Sequence, residues 1–196
     1  MFMRLTGALA LVACIAGCAH PITISPDIAK VERPADQQPI AKNVGYYIAG
    51  DLRSKSVTTP GGGGDSVTYA PYKDLEPSFY KMLGNVFKDV RQLKSLDDAK
   101  AAGAPPLQYI ITPEITTNSS SPSPFTWPPT RFDITLVCKV TDLSGNLVST
   151  ATVNGQGLAE FDEFKHDFPL SGKRAALDAL LKMQDALLQS KELRRD

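Results

Sequence analysis

The sequence predicts an α+β fold, a two-layer sandwich in which two main helices cover one face of a mostly antiparallel sheet. Three patterns lead to this prediction. Residues 74–91 and residues 171–193 carry apolar side chains at three- and four-residue spacing, which is typical of the buried face of a helix. Residues 131–153 alternate between apolar and polar side chains on either side of a turn at 142–146, as a β-hairpin does. Helices that flank paired strands pack naturally on one face of an antiparallel sheet.

The N-terminus has the layout of a secretory signal peptide. Arg4 supplies a positive charge, residues 5–17 form an uncharged apolar run, and small residues directly precede Cys18. A run of this length is too short to span a bilayer. Export is therefore the first property that the chain predicts.

The stretch Ile15-Ala16-Gly17-Cys18 resembles the lipobox of bacterial lipoproteins. The resemblance implies that Cys18 receives a diacylglyceryl group, that residues 1–17 are removed, and that the new amino terminus is acylated, which gives a firm membrane anchor. Cys14 ends a second stretch of the same pattern, but it leaves only about nine apolar residues after Arg4, near the lower limit for a signal. Cys18 is therefore the favoured site, and an ordinary cleaved signal without lipid is the remaining alternative. By the sorting rule of enteric lipoproteins, Ala19 after the cysteine implies the outer membrane.

The predicted organisation is a signal peptide over 1–17, a lipidated and proline-rich tether over 18–40, and one α+β domain over 41–196. Spaced prolines keep the tether extended. Alternatively, the alternating Ile22 and Ile24 place part of this stretch on the body as an edge strand.

The domain begins with a strand over 44–48, followed by a glycine-rich loop and a returning strand over 67–69. Four consecutive glycines, 61–64, could suggest a phosphate cradle, but no Gly-Lys-Ser/Thr follows them. A mobile hairpin loop is the favoured interpretation.

The helix over 74–91 takes Asp74 as its N-cap. A short helix over 96–102 and a central strand over 107–115 come next, and Pro113 indicates that this strand leaves its ladder near its end. In the following hairpin Cys138 lies on the apolar face, where it is expected to act as a small hydrophobic residue. After the helix over 171–193, the charged tail is expected to fray.

Composition excludes some classes of function. Lys and Arg number 21 and Asp and Glu number 21, so no basic surface indicates nucleic-acid binding. The mature chain keeps no pair of cysteines for a disulfide, since Cys14 leaves with the signal and Cys18 is lipidated, so stability must come from the hydrophobic core.

The residues between 116 and 130 form the candidate contact site. This predicted loop of about fifteen residues is long for a connection between two strands, and it contains Phe125, Trp127, Pro128 and Pro129. Large aromatic side chains are costly to expose. They either fold back onto the sheet edge or form a contact surface for a partner, a lipid headgroup region or a glycan.

Signals for catalysis or cofactors are weak. Glu163 and His166 form a single Glu-x-x-His pair, and carboxylate-bridged metal sites need such pairs from two helices. The sequence contains no nucleophile elbow, no HExxH and no Cys/His cluster. We therefore predict no catalytic residues, no metal site and no cofactor.

The order of these features resembles small Gram-negative outer-membrane lipoproteins of the YajG and LPS-assembly lipoprotein kind. The resemblance rests on Cys18 to Pro21, on the helix from Leu75 to Val90, and on the strands that precede a C-terminal helix. It implies a non-catalytic accessory protein that faces the periplasm and acts through contacts with an envelope protein. The alternative is an auxiliary lipoprotein of an ABC-type envelope transport system that handles a lipid or glycan; a periplasmic enzyme is a third class.

Overall fold

A computed structural model describes residues 19–100, 105–123 and 125–195. The elements in chain order are β1 (Ala19–Pro21), β2 (Ile40–Tyr47), α1 (Gly50–Ser54), β3 (Val57–Pro60), β4 (Ser66–Tyr69), α2 (Pro71–Val86), β5 (Phe87–Leu93), β6 (Tyr109–Ser120), β7 (Arg131–Thr141), β8 (Leu147–Leu158), α3 (Phe161–Phe164) and α4 (Leu170–Gln189). Short 3-10 helices cover Ile28–Lys30, Leu96–Lys100 and Glu192–Arg194. Within the described residues, no helix is long and apolar enough to cross a membrane.

The predicted α+β sandwich is confirmed. A five-stranded sheet in the order β5-β2-β6-β7-β8 forms one layer, and α2 and α4 contact each other and pack on it. The long ladders, β6 with β7 and β7 with β8, are antiparallel, whereas β2 runs parallel to both of its neighbours. A second sheet, β1-β4-β3, lies beside the large one and contacts β6.

The sheet face toward the helices is apolar because alternate residues of β7 point the same way. Phe132, Ile134, Leu136, Cys138 and Val140 are all buried. Burial raises the pKa of the Cys138 thiol well above its ordinary value, so this residue acts as a small hydrophobe, as predicted.

Helix α4 lies close to β8 because two glycines remove the side chains between them. A Cβ at Gly155 would overlap the Ala175 carbonyl oxygen, and a Cβ at Gly157 would overlap the Ser171 carbonyl oxygen. The helix therefore rests directly on the strand backbone.

The predicted helix over 74–91 is wrong at both ends. It begins at Pro71, so Asp74 lies inside it rather than at the N-cap, and it ends at Val86. Phe87 is extended and begins strand β5. Strand β5 also needs buried apolar side chains, which Phe87 and Leu93 supply. The apolar pattern of the sequence therefore does not stop where the helix stops.

Strand β6 is longer than predicted. It pairs with β7 through Ser120, while its pairing with β2 ends at Ile111. Pro113 lies just beyond that parallel ladder, where a missing N–H removes no bond to β2. On the same edge, the N–H of Ile115 donates to the Tyr72 hydroxyl at 3.1 Å. Pro113 therefore lies past the end of the ladder with β2, and the strand continues through it in its ladder with β7.

The C-terminal tail is packed instead of frayed. Leu193 is fully buried, and the Arg194 guanidinium donates to the Leu188 carbonyl at 2.8 Å. Helix α4 itself ends at Gln189, and the 3-10 turn Glu192–Arg194 folds back against the body.

The segment from residue 19 to residue 39 lies against the body, which is the alternative to a free tether. Strand β1 pairs with β4, and Ile24 and Val31 are completely buried. The Ile24 N–H donates to the Asp74 carboxylate at 3.0 Å. The side chain of Asn85 donates to the Val31 carbonyl at 3.0 Å. We call residues 19–39 the N-terminal strap.

We expect Gly157→Ala to lower the free energy of unfolding by about 1–3 kcal/mol, because the new methyl group must push α4 away from β8. Gly84→Ala is the matched control: it is exposed within α2 and a Cβ there meets nothing within 4 Å. That control should raise stability by about 0.5–1 kcal/mol, since alanine loses less backbone entropy than glycine. Urea unfolding of a chain that begins at residue 19 measures both. Equal effects of the two substitutions would contradict the close helix–strand contact.

Asp74→Ala should cost about 1–3 kcal/mol, because it leaves the buried Ile24 N–H without an acceptor. Asp74→Asn keeps an oxygen acceptor and should cost less. Burial raises the pKa of the Asp74 carboxyl above its ordinary value of 3.8, although the Ile24 N–H opposes that shift.

Because the folded state then binds a proton more readily than the unfolded state, wild-type stability relative to Asp74→Asn should fall as pH rises from 3.8 through the raised pKa. Urea unfolding of both proteins across that range tests the sign. A relative stability that rises over the same window would contradict the burial of this carboxylate.

Candidate functional site

The site lies where the described chain begins. Ala19 pairs with Ser66, next to the glycine-rich turn between β3 and β4. The lipidation site predicted at Cys18 lies outside the described residues, but it directly precedes Ala19 in sequence. We call this side of the molecule the anchor end; it comprises the glycine-rich turn (61–65), the loop 121–130 and the connection 158–169.

Trp127 occupies the centre of the anchor end and is partly buried. Its ring stacks on His20, with ring centres 4.2 Å apart and an angle of 26° between the planes, and it contacts Phe168 with ring centres 4.9 Å apart. His20 Nε2 in turn lies 3.3 Å from the Asp65 carboxylate. Trp127 thus joins the first described strand, the loop and the residues before α4.

The glycine-rich turn is fixed to the loop through its backbone. The Gly62 N–H donates to the Trp127 carbonyl at 3.0 Å, and the Gly63 N–H donates to the Ser123 carbonyl at 3.2 Å. A Cβ at Gly62 would overlap the Thr126 carbonyl oxygen. The turn is a hairpin connection, but it joins β3 to β4, whereas the predicted first strand over 44–48 lies in the other sheet as part of β2; the turn is also bonded to the loop rather than mobile. Its glycines permit a close approach between two backbones. The N–H groups of Gly61, Gly62, Gly63 and Asp65 all donate to backbone carbonyls, so these four are not free for a phosphate.

The four predicted contact residues have different environments. Phe125 is 93 % exposed, whereas Trp127 is partly buried and both Pro128 and Pro129 are buried. The Pro129 carbonyl accepts a hydrogen bond from the buried Ser171 hydroxyl at 2.7 Å. Trp127 and the prolines therefore pack against the body, as the first alternative predicts, while Phe125 faces solvent. Contact of this loop with a partner stays a prediction. The loop is also shorter than predicted, because β6 extends to Ser120.

Other apolar side chains reach solvent at the same end. Leu158 is 61 % exposed, Phe161 is 61 % exposed and Phe168 is 46 % exposed. Leu158 and Phe161 line an open groove of about 540 Å³ together with Ser123 and Thr126, the neighbours of Phe125. Leu158 ends β8, and Phe161 and Phe168 lie between that strand and α4, so the connection 158–169 carries all three apolar side chains at this end.

The charged residues of this end pair with one another. Lys165 binds Asp162 at 2.7 Å, and Lys173 binds Asp167 at 2.7 Å. The Glu163 carboxylate accepts from the Arg174 guanidinium at 2.6 Å and from the Glu160 N–H at 3.0 Å. These bonds lower the pKa of Glu163 to about 2, with Arg174 as the main cause.

The Glu163 and His166 pair does not converge with further ligands. Both oxygens of Glu163 accept hydrogen bonds from Arg174, and His166 is exposed. In the part of the chain that the structure describes, no group of three or more metal-ligating side chains occurs.

His20, Trp127 and Phe168 form one aromatic cluster. Sequence reasoning missed His20 and Phe168 as members of it. A signal for Phe168 existed in its spacing from Phe161 and Phe164. His20 carried no such signal, because its contact with Trp127 depends on the pairing of β1 with β4.

No protein-family model matches the chain, and no curated protein matches it. Among solved structures, a Xanthomonas campestris protein of the DUF330 family is 13% identical, with 87% of this chain and 92% of that chain covered and a TM-score of 0.48. PelC from Paraburkholderia phytofirmans, solved as a dodecamer, is 15% identical over 82% of this chain and 94% of its own, with a TM-score of 0.49.

A Caulobacter crescentus protein that is provisionally assigned as a lipoprotein is 18% identical over 47% of this chain and 74% of its own, with a TM-score of 0.31. These identities and scores are too low to carry an argument about family or function.

We expect Trp127→Ala to lower the free energy of unfolding by about 2 kcal/mol, less than a fully buried Trp would cost, because the ring is only partly buried. Phe125→Ala is the matched control and should change stability by less than about 0.5 kcal/mol. Trp127 is the only Trp in the chain, so the Trp emission of the protein reports on this residue alone. Because the ring is partly buried, that emission should be blue-shifted from that of free indole. Emission like that of free indole, together with unchanged stability in Trp127→Ala, would show that Trp127 is a free contact residue.

Proposed function

We propose that this protein is a lipid-anchored, periplasm-facing accessory lipoprotein of the Gram-negative cell envelope, which acts through contacts with another envelope protein. Its resemblance to small outer-membrane lipoproteins of the YajG and LPS-assembly lipoprotein kind belongs to this proposal. The outer membrane is the proposed location because Ala19 follows the lipidated cysteine.

One observation carries the proposal. The lipobox-like stretch ends at Cys18, and the described structure begins at the next residue, in strand β1. Removal of residues 1–17 would therefore leave the described body whole, with a lipid at its first residue. An anchor and a strand that meet at this position are expected of a protein that works at the membrane surface.

A non-catalytic role is supported by three carboxylates that accept hydrogen bonds from other parts of the fold. Asp74 holds the N-terminal strap. Glu76 accepts hydrogen bonds from Arg53 at 2.8 Å, from Gln92 at 2.7 Å and from the Tyr46 hydroxyl at 3.3 Å. Glu163 is bound by Arg174. A general acid or base must exchange its proton near neutral pH, whereas these groups serve as structural acceptors.

The second candidate is an auxiliary lipoprotein of an ABC-type transport system that handles a lipid or glycan. The groove of about 540 Å³ beside Leu158, Phe161 and Phe164 favours it, since its size and largely apolar lining suit a small amphipathic ligand. Crosslinking in intact cells separates the two candidates: capture of transporter subunits supports the second, and capture of other envelope proteins supports the first.

We expect Cys18→Ser to abolish incorporation of a fatty-acid probe and to leave uncut precursor or release the protein into the soluble fraction. The reason is that serine lacks the thiol that receives the diacylglyceryl group. Cys14→Ser is the matched control, because it lies in the same apolar run and should leave labelling intact. Label that persists in Cys18→Ser and vanishes in Cys14→Ser would move the lipidation site to Cys14. Label absent from the wild-type protein would overturn the lipid anchor.

A further inference from the structure

The anchor end has no free spacer between the predicted lipid and the folded body. Ala19 already pairs with Ser66 in the small sheet, and His20 is held by Trp127 and Asp65. Lipid chains on Cys18 would therefore leave the protein beside the aromatic cluster. A bilayer that holds those chains must lie against this end of the molecule.

The same end exposes a group of large apolar side chains. Phe125 comes from the loop 121–130, and the other three, Leu158, Phe161 and Phe168, come from the connection 158–169. Leu158 and Phe161 line the groove beside Ser123 and Thr126, and Phe168 lines a second groove beside Trp127. Water around such side chains is unfavourable, and aromatic side chains are enriched where a protein meets lipid headgroups. We call these four residues the anchor-end patch.

We propose that the anchor-end patch enters the headgroup region of the bilayer that carries the lipid, so that the body sits directly on the membrane in a fixed orientation. This inference rests on the proposed lipid anchor at Cys18. The occupant is a phospholipid surface because Cys18, the proposed lipidation site, directly precedes Ala19 in sequence, and the next residue, His20, stacks on Trp127, which contacts Phe168 of the patch. Apolar side chains at an interface add to the binding that a lipid anchor provides.

The charges around the patch indicate which lipid surface it fits. Lys165, Lys173 and Arg174 each pair with a carboxylate of the same region, and Arg131 pairs with Asp133 at 3.0 Å. These cations are already neutralised, so attraction to anionic lipid contributes little. The patch therefore fits a zwitterionic phospholipid surface, and its contact should depend weakly on salt.

The chain is well suited to a test with site-directed spin labels. Cys138 is buried and Cys18 would be lipidated, so a cysteine introduced at the surface of the mature protein is the accessible thiol. Phe125→Cys and Phe161→Cys place a nitroxide in the patch. Ser144→Cys is the matched control: it is exposed in the turn between β7 and β8, at the opposite end of those strands. Each lipidated, full-length mature protein is placed in vesicles of phosphatidylcholine and phosphatidylethanolamine.

Depth is measured by comparing collisions of the nitroxide with oxygen, which concentrates in lipid, and with a water-soluble nickel chelate. We expect the labels at 125 and 161 to lose most of their nickel collisions on vesicles, by roughly tenfold relative to Ser144→Cys, at low and high salt alike. The control label should stay accessible to nickel.

Each other outcome has a defined meaning. If the protein floats with the vesicles but all three labels behave alike, the anchor stands and the membrane-seated patch is wrong. If the patch labels are shielded from both reagents and show spin–spin broadening, a second copy covers the patch, and the bilayer is not its occupant. If the wild-type protein does not remain with the vesicles, the lipid anchor fails and this inference fails with it.

Discussion

The hydrogen bonds that hold the N-terminal strap to the two long helices are the constraint on which the rest of the arrangement depends. Asn85 of α2 donates to the Val31 carbonyl and, at 2.8 Å, to the Gln184 side chain of α4. Gln184 donates to the Glu32 carbonyl at 2.8 Å. A buried backbone group without a partner costs as much as a lost hydrogen bond. The same two amides thus satisfy the strap and join the helices.

This constraint determines where the first described residues lie. A tether of about twenty extended residues could span roughly 65 Å, which would let the body reach partners far from the membrane. The strap instead runs back along the body, so that Ala19 is fixed beside the aromatic cluster and the glycine-rich turn. The interior hydrogen bonds of the strap would thereby also fix the position of the proposed lipid anchor relative to the body.

The local patterns in the sequence predicted the α+β sandwich, the hairpin of β7 and β8, and the burial of Cys138. They did not predict the end of α2, because Phe87 and Val90 continue the helical spacing while also serving strand β5. Gly84 lies inside the last turn of α2, and no glycine or proline follows the helix to mark its end. The prediction that the strand leaves its ladder near Pro113 was wrong for the pairing with β7, for a related reason. The missing N–H of a proline is costly only where a neighbouring strand would accept its hydrogen bond, and the pairing with β2 has already ended before Pro113. Both errors concern contacts with elements distant in sequence.

For the candidate site, too, the sequence indicated the residue types but not their contacts. Phe125 and Trp127 were recognisable from residue type, but their opposite exposures follow from contacts that composition cannot indicate, namely the stacking of His20 and the backbone bonds from Gly62 and Gly63. Strands β6, β7 and β8 lead from the anchor end to the turn at the far side. Eleven residues of a strand span roughly 36 Å. A body seated on its anchor end, as proposed, would therefore hold that turn well away from the membrane surface, in a direction set by the sheet rather than by a flexible linker.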